Sequence, residues 1–268
     1  MKKNIINRGN MSKKTAEIKD YFLKYLDKIN YKGFFGVANF YSVYNHLIDE
    51  QQEKLKKILQ DQFNEFEEKG TIISLGICYD LKIIDYINQI NESVIDKERW
   101  DMYGSEYKHI NRLLKDISSE IALKFNGIAI PPTTETPSHE INNFTDYFLK
   151  TISHRLVAEF AGIGWRGKNE LLITEKYGPA LRLTSILMNM PLIQGEKMRR
   201  KCGDCRACLD VCKFLNNKHN LKDYRENCRK YILSLCLNSN VCGKCIKACI
   251  NNRICKNTFI NSPNSKII

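Results

Sequence analysis

The sequence predicts an α+β protein: a mixed α/β body over residues 1–195, a small cysteine-cluster module over 196–256 and a polar tail over 257–268. Three observations predict it. Segments of helical and strand periodicity intermingle up to about residue 195. Ten of the 11 cysteines fall within residues 202–255, with only Cys78 outside. A length of 268 residues with 43% hydrophobic and 10% aromatic content suits one large domain plus a small one, and excludes wholesale disorder.

Taken in order, Ile18, Tyr21, Phe22, Tyr25 and Leu26 recur at i, i+3, i+4, i+7 and i+8 and predict a helix over 13–30. Gly33 and Gly36 are expected to end that unit. Leu47, Leu55, Leu59 and Phe63, set between charges, predict one amphipathic helix over about 43–68. Residues 71–78, β-branched and apolar, read as a buried strand. Tyr107, Ile110, Leu114, Ile117 and Ile121 place a helix over 103–125. Pro131, Pro132 and Pro137 make the next stretch extended, because each proline biases its predecessor away from helix. A helix is expected over about 144–161, followed by strands at 171–174 and 181–187 joined by a Tyr177-Gly178-Pro179 turn. There is no internal repeat and no low-complexity tract.

No run approaches the roughly 20 apolar residues that cross a bilayer. The first residues carry two lysines with no apolar region behind them, so the expected location is the cytoplasm. An odd cysteine count in such a chain argues against a disulfide scaffold and for metal ligands or a redox relay. The formal charge of +12 permits a polyanionic partner, and is equally the mark of a solvated basic surface.

Cys202, Cys205, Cys208 and Cys212 form C-x2-C-x2-C-x3-C, the bacterial ferredoxin run in which three thiolates hold one [4Fe–4S] cluster and the fourth crosses to another. Cys228 follows alone, and then Cys242, Cys245 and Cys249 in the spacing C-x2-C-x3-C. By the crossover logic Cys202, Cys205, Cys208 and Cys249 hold one cluster, and Cys212, Cys228, Cys242 and Cys245 hold the other, giving a ferredoxin-like double-cluster module. The proline usual after the last cysteine is replaced by Lys213, and Ile250 follows Cys249. Zinc also takes four cysteines, but usually from two separated pairs. Cys236 and Cys255 are spare, and Cys236 could replace Cys228 as the isolated ligand. Cys78 reads as a small buried hydrophobe.

Ala161-Gly162-Ile163-Gly164-Trp165-Arg166-Gly167-Lys168-Asn169-Glu170-Leu171-Leu172-Ile173, followed by Tyr177-Gly178, resembles the signature of epoxyqueuosine reductases. Tyr103-Gly104-Ser105-Glu106-Tyr107-Lys108 and the cysteine pattern with its isolated Cys228 are similar too, so the resemblance spans residues 100–255. It implies a body that binds cobalamin with the lower axial ligand detached, beside a module with two [4Fe–4S] clusters. Electrons would pass from an electron-donor protein through the clusters to cobalt, and the corrinoid would reduce an epoxide on a tRNA nucleoside. Tyr107, Gly162, Gly164, Gly167, Lys168 and Asn169 are the candidate cofactor-binding residues. The glycines would let the backbone approach a bulky ligand, and Lys168 and Asn169 would offer donors to phosphate or amide groups. On the residues alone, a helix end and tight turn leading into a strand explains the motif as well.

The sequence departs from the family in its expected proton donor. Members carry Val-Asp-Thr about thirteen residues before the Ala-Gly of the motif; here that register holds Tyr147-Phe148-Leu149, with Asp146 two positions away. The chain also ends soon after the cysteines, without the helical-repeat extension that many members use against tRNA, which points to a paralogue acting on tRNA or on a small-molecule substrate. Opening an epoxide needs an acid near the developing alkoxide, so Asp146 and His154 are the catalytic candidates, His154 because imidazole titrates near neutrality. The alternative for His154 is a hydrogen-bonded core histidine. The functional expectation is an iron–sulfur oxidoreductase; the competing one is a non-catalytic ferredoxin-type carrier that docks a partner enzyme.

Overall fold

The computed structural model describes residues 2–89, 94–133, 151–216, 218 and 221–252. Asp146, the extended stretch around Pro137, the first part of the helix expected over 144–161, Cys255 and the tail lie outside the described residues.

The first helix, α1 (Lys2–Lys28), buries Ile18, Phe22 and Leu26. It leads into β1 (Gly33–Asn39), a strand where only a helix stop is expected from the glycines. β1 pairs antiparallel with β2 (Thr71–Cys78) along seven positions, from Gly33 opposite Ile77 to Asn39 opposite Thr71. That long-range pairing overrides the low strand preference of Gly33 and Gly36. Between the two strands the single helix expected over 43–68 is broken into α2 (Phe40–Tyr44), α3 (Asp49–Leu59), a 3₁₀ turn at Gln60–Gln62 and α4 (Phe63–Lys69). Asn39 starts α2 by accepting from the Ser42 amide at 2.9 Å, and Gln60 ends α3 in a left-handed conformation, φ +47°. Neither signal interrupts the spacing of Leu55, Leu59 and Phe66, which all remain buried, so periodicity alone hides the breaks.

After the short α5 (Leu81–Ile84), α6 (Lys97–Phe125) starts on the side chain of Asp96, which caps the Arg99 amide at 3.2 Å, and ends on Asn126 with φ +56°. β3 (Gly127–Ile130) follows at once and was not expected from the sequence. A short α7 (His154–Phe160), β4 (Trp165–Arg166), β5 (Leu172–Ile173) and β6 (Leu181–Met188) complete the body. The main sheet runs β1-β2-β6-β3, antiparallel throughout, and β4 and β5 form a separate two-stranded ribbon.

Every residue of β2 is buried. Ile73, Leu75 and Ile77 join α1 and α6 in one apolar cluster, and Ile72 and Cys78 join α2, α3, α4 and α7 in another. The body is therefore helix on sheet on helix, and the predicted α+β class holds. Among the described residues no helix is long and apolar enough to cross a membrane.

The described residues of the cysteine segment form four helices, α8 (Ala207–Asp210), α9 (Lys213–Asn216), α10 (Leu221–Ser234) and α11 (Lys244–Asn251). Its Leu237, Val241, Ile246 and Ile250 extend the same apolar cluster that holds Ile87, Trp100 and Tyr103. One stripe of α6 receives it. Asp101 accepts from the Ser239 amide at 3.3 Å and from Asn238 Nδ2 at 2.9 Å, and Lys108 donates to the Asn238 carbonyl at 3.2 Å. Between them, a Cβ at Gly104 would stand 2.4 Å from that of Ser239. A Gly104→Val substitution should therefore force the segment off α6 at a cost of about 1–3 kcal/mol, as overpacking does. Urea unfolding should show that loss, whereas Gly9→Ala, inside α1 and with nothing within 4 Å, should hold the midpoint or raise it, by up to about 1 kcal/mol in stability.

Candidate cluster and cofactor site

Eight cysteines of the predicted ligand set lie in the described residues, all as free thiols. The neighbours acting on each thiol sort them. Burial raises Cys208 to about 11, and Cys202 and Cys205 add to it. Burial raises Cys242 to about 12, with Cys228 and Cys212 close enough to contribute. Cys245 is pushed well up by burial and then by Cys242, Cys212, Cys228 and Cys208, and Cys228 itself by burial and Cys212. Two adjoining neighbourhoods emerge, Cys202 with Cys205 and Cys208, and Cys212 with Cys228, Cys242 and Cys245, and they meet where Cys208 packs with Cys212 and Cys245. Cys249 is buried on α11, which packs on the α8 helix that carries Cys208. Cys236 is exposed, in a left-handed conformation with φ +52°, its thiol 3.8 Å from the Ser234 carbonyl. Among the described residues, no three His, Cys, Asp or Glu converge tightly enough for a single metal ion. Cys78 is fully buried at the end of β2, where burial raises its thiol far above the ordinary value.

The glycine motif is a turn from α7 into the β4–β5 ribbon. Ala161 caps α7, and Gly162 at φ +72° reverses the chain where a Cβ would meet the Glu196 carbonyl at 2.6 Å. Gly164 and Gly167 both pack against Ile173 of the facing strand. The close approaches these glycines permit are thus made by the chain to itself. Three donors in and beside the turn are buried without a partner among the described residues: the Trp165 indole N–H, the Asn169 amide nitrogen and Nε of Arg155. Lys168 lines a groove of about 560 Å³ together with Arg206, Leu209, Leu215, Asn216 and Lys218, between the turn and the cysteine segment.

No sequence signal singles out Glu170, which is the centre of the joint between these parts. It is 8% exposed and ion-paired with Arg166, with Lys218 at 2.8 Å and with Arg155 at 3.6 Å. Its carbonyl accepts from Arg155 Nη1 as well. Burial alone would raise this carboxyl, but the hydrogen bonds from Lys218 and Arg166 hold it below its usual range. Arg155, desolvated and repelled by Arg225 and Arg166, is lowered to about 10 and stays charged at neutral pH. Tyr224, one helical turn before Cys228 on α10, is raised to about 12 by burial, and its hydroxyl has no partner. A carboxylate two residues beyond a lysine and three beyond a glycine gives no hint of this role; only the tertiary fold brings Arg155 and Lys218 to it.

Tyr107 belongs to a second polar group. Its hydroxyl donates to the Thr133 carbonyl at 3.0 Å and accepts from Arg182 Nη2 at 3.1 Å, while the Arg182 guanidinium lies 4.1 Å from the Tyr107 ring centre. Arg182 also donates to Asn111 Oδ1 at 3.0 Å and to Thr133 O at 2.9 Å. His154 is 5% exposed, with Nδ1 at 2.8 Å from Ser185 Oγ and Nε2 at 2.9 Å from the Pro131 carbonyl and 3.2 Å from Thr151 Oγ1. Burial lowers its pKa to about 4, with Arg182 and Lys54 adding repulsion against the support of Pro131. The ring is neutral at pH 7 and ties Pro131 and Thr151 to β6.

The sign of that shift gives a prediction. An unfolded histidine takes up its proton near 6.5, the folded one only near 4, so the unfolded state binds more protons between those values. Stability contributed by the neutral ring is complete above pH 6.5 and is lost as pH falls toward 4. Urea midpoints measured from pH 7 down to 4.5 should drop more steeply for the parent than for His154→Gln.

No protein-family model matches the chain. It is 36% identical over 76 residues to an epoxyqueuosine reductase of Bacillus anthracis, covering 28% of this chain and 20% of that protein. It is 44% identical over 61 residues to the epoxyqueuosine reductase of Listeria monocytogenes, covering 23% and 16%. To that of Lactococcus garvieae it is 27% identical over 168 residues, covering 60% and 42%. The chain thus matches well under half the length of these curated relatives. A solved selenomethionine-labelled epoxyqueuosine reductase superposes with a TM-score of 0.47 at 17% identity, over 91% of this chain and 67% of that one. The Streptococcus thermophilus epoxyqueuosine reductase gives 0.45 at 19% identity, over 87% and 65%. The curated relatives, with the glycine turn and the cysteine spacing, make this chain a relative of the epoxyqueuosine reductases.

Proposed function

We propose that the chain is an iron–sulfur oxidoreductase of the epoxyqueuosine reductase kind, with a body over 1–195 that holds a corrinoid and a module over 196–256 that holds two [4Fe–4S] clusters. The observation that carries the reading is the sorting of buried thiols into two neighbourhoods, which agrees with the crossed pattern of a double-cubane module. Buried thiols with raised pKa values stay neutral alone; they ionise when iron offsets their charge. Zinc would draw four sulfurs to about 2.3 Å from one point, a tighter gathering than a cubane requires. The position of Cys228 beside Cys212, with Cys236 exposed, favours Cys228 as the isolated ligand.

The donor chemistry of the turn fits a ligand rich in amide and phosphate oxygens. Buried donors are nearly always paired, and an orphan asks for a missing acceptor. Trp165 and Asn169 have such donors, and Lys168 supplies a charge at the groove beside them. Gly162, Gly164 and Gly167 shape that turn, and Tyr107 holds the end of β3 through Thr133. A bound corrinoid would supply a strongly reducing metal centre. Asp146 is the acid candidate for an epoxide substrate on a tRNA nucleoside. His154, neutral and bonded through both nitrogens, would act by fixing the chain at Pro131 and Thr151, on either side of Asp146 in sequence.

Metal analysis after anaerobic reconstitution with iron, sulfide and a corrinoid tests the reading. About eight irons and about one cobalt per chain are expected. Cys228→Ala should lose about half the iron and Cys236→Ala none. Eight irons without cobalt would leave a ferredoxin-type carrier, and zinc in place of iron would overturn the proposal.

A further inference from the structure

Between Glu196 and Lys213 the chain carries six basic residues against three acidic ones, and this stretch contains all four cysteines of the ferredoxin-like run. Its Arg199, Arg200, Lys201, Arg206 and Lys213 are exposed. Lys201 pairs with Glu175, and Arg206 lies 3.6 Å from Asp210. Among the described residues Arg199 and Arg200 form no ion pair. The basic residues stand on both sides of the loop Cys202-Gly203-Asp204-Cys205. Both cysteines of that loop are half-buried, Gly203 at φ +46° has no atom within 4 Å of where a Cβ would be, and Val211 beside Cys212 is 45% exposed. Of the eight predicted ligands Cys208 and Cys249 are buried and the other six are half-buried, and Cys245 packs against the apolar cluster that holds Tyr103 of α6. The loop therefore brings two half-buried thiols to a surface framed by positive charge, with an apolar side chain among it.

We propose that this face docks an acidic one-electron carrier protein, and that the Cys202–Cys205 loop is the entry point for electrons. The proposal rests on the cluster reading above and names the partner it leaves open. In each transfer the reduced carrier loses one electron and is oxidised, and the cluster held by the outer thiols gains it and is reduced; no bond breaks, and the oxidised carrier leaves. Such encounters are small and short-lived, and complementary charge speeds them by raising the association rate. An RNA backbone would use the cations but has no use for exposed Val211 or for proximity to the thiols.

An acidic bacterial flavodoxin is the probe. Calorimetric titration of oxidised flavodoxin into the reconstituted full chain should show binding that weakens from about 0.02 to about 0.2 M salt. The Arg199→Glu/Arg200→Glu variant should bind at least about tenfold more weakly. Reduction of the clusters by flavodoxin hydroquinone should slow to the same degree, while reduction by photoreduced 5-deazariboflavin, small and uncharged, should be unchanged. Equal flavodoxin binding by parent and variant would overturn the proposal. So would a variant that loses an RNA stem–loop yet keeps flavodoxin. Failure of deazariboflavin to reduce either protein would count against the clusters instead. The titration would still decide the surface, since it reads binding without electron transfer.

Discussion

A strand that is buried along its whole length must have both neighbours in the sheet and both helix layers in place before it is dry. β2 sets that condition here: its amides and carbonyls are paired by β1 and β6, its odd-numbered side chains from Ile73 to Ile77 meet α1 and α6, and Ile72 and Cys78 face the opposite layer. Full burial on both faces is commoner in parallel sheets, where crossover helices cover each side. Here antiparallel connections achieve it because α1 and α6 are long enough to cover one face while α2, α3, α4 and α7 cover the other. The functional parts hang from those two layers. α6 provides the stripe from Asp101 to Lys108 that receives the cysteine segment, and α7 provides the helix end from which the glycine turn departs.

Between the two parts sits one partly buried carboxylate with three cations. Glu170 joins Arg155 of α7, Arg166 of the ribbon and Lys218 of the cysteine segment. Charges taken out of water gain little net stability even when paired, and removal of one partner leaves the rest uncompensated. The joint therefore acts as a constraint on relative position: the turn and the cysteine segment meet in the one arrangement that satisfies all four groups. Arg225, outside the joint, opposes the effect of burial on Tyr224 and Cys228, and both stay raised.

Much of this architecture can be read from the chain. The long apolar stripes of α1 and α6 and the β-branched run of β2 have one sensible reading each, because long periodic segments leave few alternatives. β1 and β3 do not. Gly33 and Gly36 suppress the strand signal in β1, and β3 is four residues directly after a helix, so only pairing with β2 and β6 defines them. The cysteine pattern spoke plainly because ligand spacing is a local property. The glycine turn did not: a glycine is required equally for a ligand and for the close backbone contacts it makes with Ile173 and Glu196. His154 shows the same ambiguity, since its Ser185 and Pro131 partners come from β6 and the end of β3, far from it in sequence.

The chain has two tryptophans, and they differ in one respect that follows from the fold. Trp100, in the first turn of α6, donates its indole N–H to the Asn88 carbonyl at 2.7 Å, whereas the Trp165 N–H in the glycine turn is buried with no acceptor among the described residues. The first ring reports on the intact core and the second on the turn. Intrinsic fluorescence thus divides into a steady background and a component sensitive to whatever reaches Trp165. An acceptor that reached the turn would complete the Trp165 hydrogen bond and change the emission of that ring, whereas Trp100 already has its partner.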